Sequence, residues 1–348
     1  MILATSTKGV TSAGLALLFG MVSMQAAAQS NVTLYGRLDT SIESQKQGAV
    51  SVSQMTDNAS RWGMRGTEDL GGGLKAAFGL EYGYGVDTGI ATTPQFRHSY
   101  VGLSSLSYGN LAIGRLDSAT IAGSPIYSQI TRNVSFVIHD AGATAIGTKI
   151  FNARNRVSNS VGYMSPSWQG LTLLARVNLA GPDPATPLAP TPVKSEGDFR
   201  QYDTGLLYKL GNFGAGLGYS KDSKKGGLLT NNFDSKLQAV ASYQWSPVTV
   251  YAAYGRDRYV GTATTRSDVD YWLTGASFES GAHKVMANYA QREVQTDVQG
   301  RLRKFQIGYR YQLSKRTMPY VYFDREDPNS QVSGDVIRTV GLGIQHTF

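Results

Sequence analysis

Seven basic residues form the one arrangement in this chain that suggests a site: Arg37, Arg61, Arg65, Lys75, Arg97, Arg115 and Arg156. Each stands where apolar and polar residues alternate, and a period of two assigns them all to the polar face. Guanidinium groups stay charged at any working pH, and hydrogen bonds hold their planar fork in place. A row of them facing a narrow aqueous space focuses a positive potential and concentrates small anions. The plainer reading is a wetted face on which the cations are scattered and pair with Asp39, Glu43 or Glu81. Bond-making chemistry has less support. The histidines, His98, His139, His283 and His346, lie in separate settings, and no nucleophile, base and orienting partner stand together. No two of them have ligand spacing and cysteine is absent, so no metal site or disulfide is indicated. Gly71, Gly72 and Gly73 are followed by neither a helix nor a Gly-Lys-Ser/Thr signature, which makes them a turn rather than a phosphate loop. Neither catalysis nor a cofactor is expected.

Strands must position these residues. Val32, Leu34, Gly36, Leu38, Thr40 and Ile42 alternate with Thr33, Tyr35, Arg37, Asp39, Ser41 and Glu43. At the other end Val340, Leu342, Ile344, His346 and Phe348 alternate with Thr339, Gly341, Gly343, Gln345 and Thr347. In water such a two-faced terminal strand would leave an exposed edge and a fraying aromatic end. In a bilayer the apolar set meets lipid and the polar set meets an aqueous lumen. The chain has a mean hydropathy of −0.23, and its mature part holds no apolar run near the roughly 18 residues that a membrane helix needs. Short connections near 70–73, 167–170, 211–212, 246–247 and 314–317 alternate with long polar ones near 44–58, 87–95, 117–154, 180–199, 222–234, 257–267, 292–301 and 326–334. That alternation belongs to barrels with short periplasmic turns and long external loops. It predicts an all-β transmembrane antiparallel barrel of 16 strands. Two strands, with Trp272, Thr274, Ala276 and Phe278 and with Tyr320 and Tyr322, permit more than one phase. Tyr82, Tyr84, Trp168, Tyr243, Trp245, Tyr309 and Tyr311 cluster towards strand ends, where amphipathic rings suit the lipid headgroup level.

The start of the chain reads as an export signal. Lys8 precedes an apolar stretch over 13–22, and Ala26, Ala27 and Ala28 offer a small-residue cleavage site. Such a stretch is too short for an anchor. We place a signal peptide at 1–28 and one barrel domain at 29–348, with no linker. Loss of Lys8 takes the formal net charge from +8 to about +7, following ordinary charge bookkeeping. For an exported chain this balance points to small anions rather than nucleic acid.

Several motifs then resemble one family. They are ASRWGMRGTEDLGGGLKA at 59–76, NVTLYG at 31–36, RHSYVGL at 97–103, RVSNSVGY at 156–163, LSKRT at 313–317 and GLGIQHTF at 341–348. In this order they resemble Gram-negative general porins, especially the β-proteobacterial branch, along the whole mature chain. The resemblance implies a homotrimer of outer-membrane barrels, embedded in lipid and lipopolysaccharide, whose third external loop folds inward and narrows each pore. It implies that Arg61, Arg97 and Arg156 match the constriction arginines, that Arg115 precedes the third loop where the family often has arginine, and that Phe348 is part of the signal read by the barrel-assembly machinery. Cation-preferring members of this broad class set third-loop carboxylates against the arginines. Here 117–154 carries only Asp117 and Asp140, against Arg132, Lys149 and Arg154, with His139 as a titrating group. Asp117 sits at the loop's root, so the acidic side of the field is expected to be weak and the pore to favour anions. Two other functions fit the residues: a substrate-selective porin for phosphate or small organic acids, and a surface interaction protein using the loops at 180–199 and 222–234.

Overall fold

Alternation in the sequence becomes a wall with two opposite faces. Val32, Leu34 and Ile42 are 56%, 58% and 62% exposed, while Asp39, Ser41 and Glu43 are buried on the other face of the same strand. Exposed apolar and buried polar side chains are the inverse of a soluble protein, as a lipid-facing barrel requires.

A computed structural model describes residues 31–117, 156–179, 201–222, 233–259, 268–295, 300–328 and 336–348. The strands are β1 (Asn31–Gln47), β2 (Val50–Asp57), β3 (Arg61–Gly71), β4 (Leu74–Tyr84), β5 (Ala91–Ser105), β6 (Gly109–Leu116), β7 (Val157–Met164), β8 (Leu171–Asn178), β9 (Gln201–Leu210), β10 (Phe213–Asp222), β11 (Phe233–Trp245), β12 (Val248–Tyr259), β13 (Asp268–Ser280), β14 (His283–Gln295), β15 (Gly300–Tyr311), β16 (Thr317–Pro328) and β17 (Ile337–Thr347). Apart from β2 and β3, sequence neighbours pair antiparallel, and β1 also pairs with β17, which closes the sheet. Both β2 and β3 pair with β1, one beyond the other. Together they make a single stave, so the barrel has 16 strands. Closure leaves no free edge to aggregate.

One expected loop is wrong. Residues 44–58, read as a long external connection, are strand up to Gln47, a turn at Gly48 and Ala49, and strand again from Val50. Its first arm, Ser44, Gln45, Lys46 and Gln47, is polar on both faces and carries no alternation, and its second arm alternates only over Val50, Ser51, Val52 and Ser53. Strand ends above the apolar band need no alternation. For the same reason β12, β14 and β16 run on to Tyr259, Gln295 and Pro328, into stretches read as loop. The short turns lie where expected, and Gly71, Gly72 and Gly73 have φ of 84°, 61° and 80°, which favours glycine. The segments at 1–30, 118–155, 180–200 and 223–232 lie outside the described residues. With them lie the signal peptide and Asp140, Arg132, His139, Lys149 and Arg154.

The two ambiguous strands resolve for different reasons. On β13, Trp272 and Phe278 face outward while Val269, Tyr271 and Leu273 are buried on the inner face, so both faces are apolar and alternation carries no phase. On β16, Tyr320 and Tyr322 point inward and donate hydrogen bonds to Asp39 and Glu43, at 2.6 and 2.5 Å. The aromatic rings divide between two levels. Tyr82 packs between Trp62 and Phe96 near the loop end, at 5.9 and 6.0 Å between centroids. Trp168, Tyr243, Trp245, Tyr309 and Tyr311 are exposed near the short turns.

Phe348 continues the closing seam past β17. Its N–H donates to the Gly36 carbonyl at 3.1 Å, and its carbonyl accepts from the Gly36 N–H at 3.0 Å. Its ring covers Gly36, where any Cβ would collide with it. Deleting Phe348 removes both bonds, worth roughly 1–3 kcal/mol together. The purified barrel is expected to lose its heat-resistant gel mobility at a lower temperature, and an unchanged midpoint would show that the seam does not need this residue.

Candidate functional site

The site is built where β1, β3, β4, β5, β6 and β7 pass side by side. Arg37 on β1 and Arg61 on β3 are direct cross-strand partners, an arrangement of like charges that costs stability unless acceptors surround it. The break between β2 and β3 supplies them. Ala59 has a φ of 62°, sparsely populated for a residue with a Cβ, and this turns backbone carbonyls towards the arginines. Arg37 donates to the carbonyls of Asn58 and, at 3.2 Å, Ala59. Arg61 donates to the Ala59 carbonyl at 3.0 Å.

Glu81 on β4 is the centre of the cluster. Its carboxylate lies 3.4 Å from Arg61 Nε, 2.7 Å from Arg97 Nε and 3.5 Å from His98 Nδ1. It also accepts a hydrogen bond from the Tyr35 hydroxyl at 3.2 Å. Arg97 and His98 are consecutive and should point to opposite faces. The β4–β5 register shifts after Glu81 and skips Arg97, and such a bulge re-aims side chains. Both then reach one carboxylate. On its other side, His98 Nε2 lies 2.9 Å from Asp117 Oδ2, and Arg156 Nε forms an ion pair with Asp117 Oδ1 at 3.1 Å. A second register shift, between Gly114 and Leu116, brings Asp117 to the cluster. The carboxylate at the root of the third loop therefore does reach the arginines. Replacing it in Asp117→Asn is expected to raise anion preference about twofold, from the field of one removed charge. A fall in the chloride-to-potassium permeability ratio would contradict that placement.

Of the basic residues singled out above, Arg37, Arg61, Arg97 and Arg156 come together here. Arg115 stands beside them, donating to the Phe96 carbonyl at 3.0 Å and to Ser158 Oγ at 2.9 Å. Arg65 lies further down the wall, with its guanidinium 5.0 Å above the Tyr35 ring. Lys75 is not brought in: it faces Asp69 beside the short turn, six residues along β4 from Glu81 and so roughly 20 Å away. Asp140 lies outside the described residues. Glu81 stood in the sequence only as a pairing partner, and His98 as an isolated histidine; no signal in the alternation marks either, because the bulge joins them.

Several other charged groups on the described inner wall are paired locally. Asp39 accepts from Tyr320 and from Gln345 Nε2, both at 2.6 Å, and lies 4.0 Å from Arg37. Glu43 accepts from Tyr322, Ser41 and Gln54. Lys236 pairs with Asp257 at 3.3 Å, Lys304 with Asp324 and Glu326 at 3.4 Å each, and Arg176 with Asp203. Around Glu81 and Asp117 cations predominate among the described residues.

The family profile of the Gram-negative porins matches residues 12–331. An outer membrane porin protein of Bordetella pertussis is 27% identical over 96% of this chain and 98% of its own length. Outer membrane porin protein 32 of Delftia acidovorans is 30% identical over 85% of this chain and 83% of its own. Among solved structures, an anion-selective porin from Comamonas acidovorans superposes with a TM-score of 0.73 at 24% identity, covering 92% of this chain and all of that one. A closed barrel with lipid-facing apolar residues, a polar lumen and this family match lead to one conclusion: the chain belongs to the Gram-negative porins and is a channel of the outer membrane.

Proposed function

We propose that the barrel is a general diffusion pore for small hydrophilic solutes and ions, and that its narrow section prefers anions to a moderate degree. One observation carries the reading: among the described residues Arg37, Arg61, Arg97, Arg115 and Arg156 gather around Glu81 and Asp117, with Asp39 and Asp57 as further carboxylates that act on Arg37. Five fixed positive charges beside four negative ones leave a net positive potential in a confined lumen, and permeant ions respond to that potential. The Comamonas porin is anion-selective, which points the same way. The work of the protein is transport down a gradient, with the side chains supplying a field rather than a reaction. Its working form is a homotrimer, a reading tested by the mass of the detergent-solubilised particle; a monomer mass would oppose it. Residues 1–28 are its cleaved export signal, and a mature N-terminus other than 29 would oppose that assignment.

Single-channel conductance against salt concentration tests the general pore. A near-linear rise, without block by millimolar phosphate or a small organic acid, is the expected result. Saturation with block by one such anion would mean instead that the arginines form a binding track for a preferred substrate.

A further inference from the structure

Arginine keeps its charge at any working pH, whereas an unperturbed imidazole gains or loses a charge between about pH 5 and about pH 8. Among the described residues, one histidine stands in the arginine cluster. It is His98, carried there by the register shift on β5. Its ring lies between two carboxylates, with Nδ1 3.5 Å from Glu81 Oε1 and Nε2 2.9 Å from Asp117 Oδ2. The same Nε2 accepts a hydrogen bond from Arg156 Nε at 3.2 Å.

A ring nitrogen carries either a lone pair or a proton, so Nε2 cannot accept from Arg156 and donate to Asp117 at once. With a lone pair it accepts from Arg156, and Nδ1–H faces Glu81. With a proton it donates to Asp117, and both ring N–H groups then meet carboxylates. Partners for both protonation states are therefore already in place. Among the described residues, the charged groups facing the ring all belong to the cluster. Glu81 comes from β4, Asp117 follows β6, Arg156 precedes β7, and Arg97 is the neighbour of His98 on β5. Behind Glu81 stand Arg61 of β3 and the hydroxyl of Tyr35 of β1, while Arg115 of β6 is held by Phe96 and Ser158. The two carboxylates favour the imidazolium and the arginines oppose it. The His98 side chain remains 24% exposed, so its proton exchanges with lumen water.

We propose that His98 is a specificity-determining residue of the pore: a titratable charge that raises anion preference when protonated and lowers it when neutral. Uptake of one proton from lumen water adds one positive charge beside the arginines and turns Nε2 from an acceptor for Arg156 into a donor to Asp117. The inference rests on the reading that this cluster governs ion preference.

The test is the reversal potential of the full mature protein in a planar bilayer under a KCl gradient, recorded from about pH 5 to about pH 9 to bracket an imidazole. The native chloride-to-potassium permeability ratio is expected to fall about two- to threefold over this range, from the loss of one charge near the ion path. His98→Asn is expected to hold the ratio at the native high-pH level throughout, and His98→Arg to hold it near the low-pH level. The converse variant, His139→Asn, His283→Asn, His346→Asn, leaves His98 as the one histidine of the mature chain. It is expected to titrate as the native pore does, and it decides the matter if the His98 variants do not fold. A chloride-preferring pore whose ratio is flat with pH would overturn the proposal and leave the anion reading standing. A pH dependence that survives in His98→Asn, or is lost in the converse variant, would overturn it too. A potassium-preferring pore whose ratio still falls through His98 would contradict the anion reading and support this one.

Discussion

Replacing Arg61, Arg97 and Arg156 together by glutamine is expected to convert an anion-preferring pore into a cation-preferring one. The three substitutions leave Arg37 and Arg115 beside Glu81, Asp117 and Asp39, so the local balance changes from positive to negative. A unit charge about 7 Å from a permeating ion contributes roughly 0.6 kcal/mol in water, reduced by salt. Three such charges act with opposite sign on chloride and potassium, so the chloride-to-potassium permeability ratio should fall on the order of tenfold. It is read from the reversal potential across a planar bilayer. A ratio that stays above one would place the selectivity elsewhere in the lumen.

The second large effect is expected from Glu81→Gln. Its carboxylate is shared by Arg61, Arg97 and His98 and accepts from Tyr35. Glutamine keeps the shape and an acceptor for the tyrosine but removes the charge. Two outcomes should separate. The permeability ratio rises, about threefold for one removed charge near the ion path. The barrel also becomes less stable, because Arg61 and Arg97 lose the group that offsets their repulsion; breaking a buried pair costs about 3–5 kcal/mol, and partial hydration in the lumen lowers that figure. A gain in anion preference with no loss of stability would mean that the arginines are held by the backbone carbonyls alone. A loss of anion preference would contradict the field described above.

Much of this was legible in the sequence, because lipid on one side and water on the other force an alternation that strands display openly. Val32 to Glu43 and Thr339 to Phe348 gave face and phase directly, and Arg37 and Arg61 followed from them. The same period assigns Arg156 to the polar face, although it stands just before β7. The failures share a cause: the signal depends on both environments being present. The stretch 44–58 reads as loop because Ser44 to Gln47 is polar on both faces and the alternation from Val50 to Ser53 is short, although most of it forms a hairpin. Val269, Tyr271 and Leu273 on one face of β13 oppose Trp272 and Phe278 on the other, so no period could choose between them. His98 and Asp117 enter the site through register shifts, which alternation cannot reveal. Lys75 shows the converse: its face follows from the alternation, but its height on the wall depends on where the turn falls.

The most direct test is the reversal potential of the purified native protein under a KCl gradient. The sign and size that correspond to chloride passing more readily than potassium are expected, because cations outnumber carboxylates around Glu81 and Asp117. A reversal potential of the opposite sign would mean that Asp39, Glu43, Asp117 and the other wall carboxylates govern the pore, and that the arginine cluster is structural.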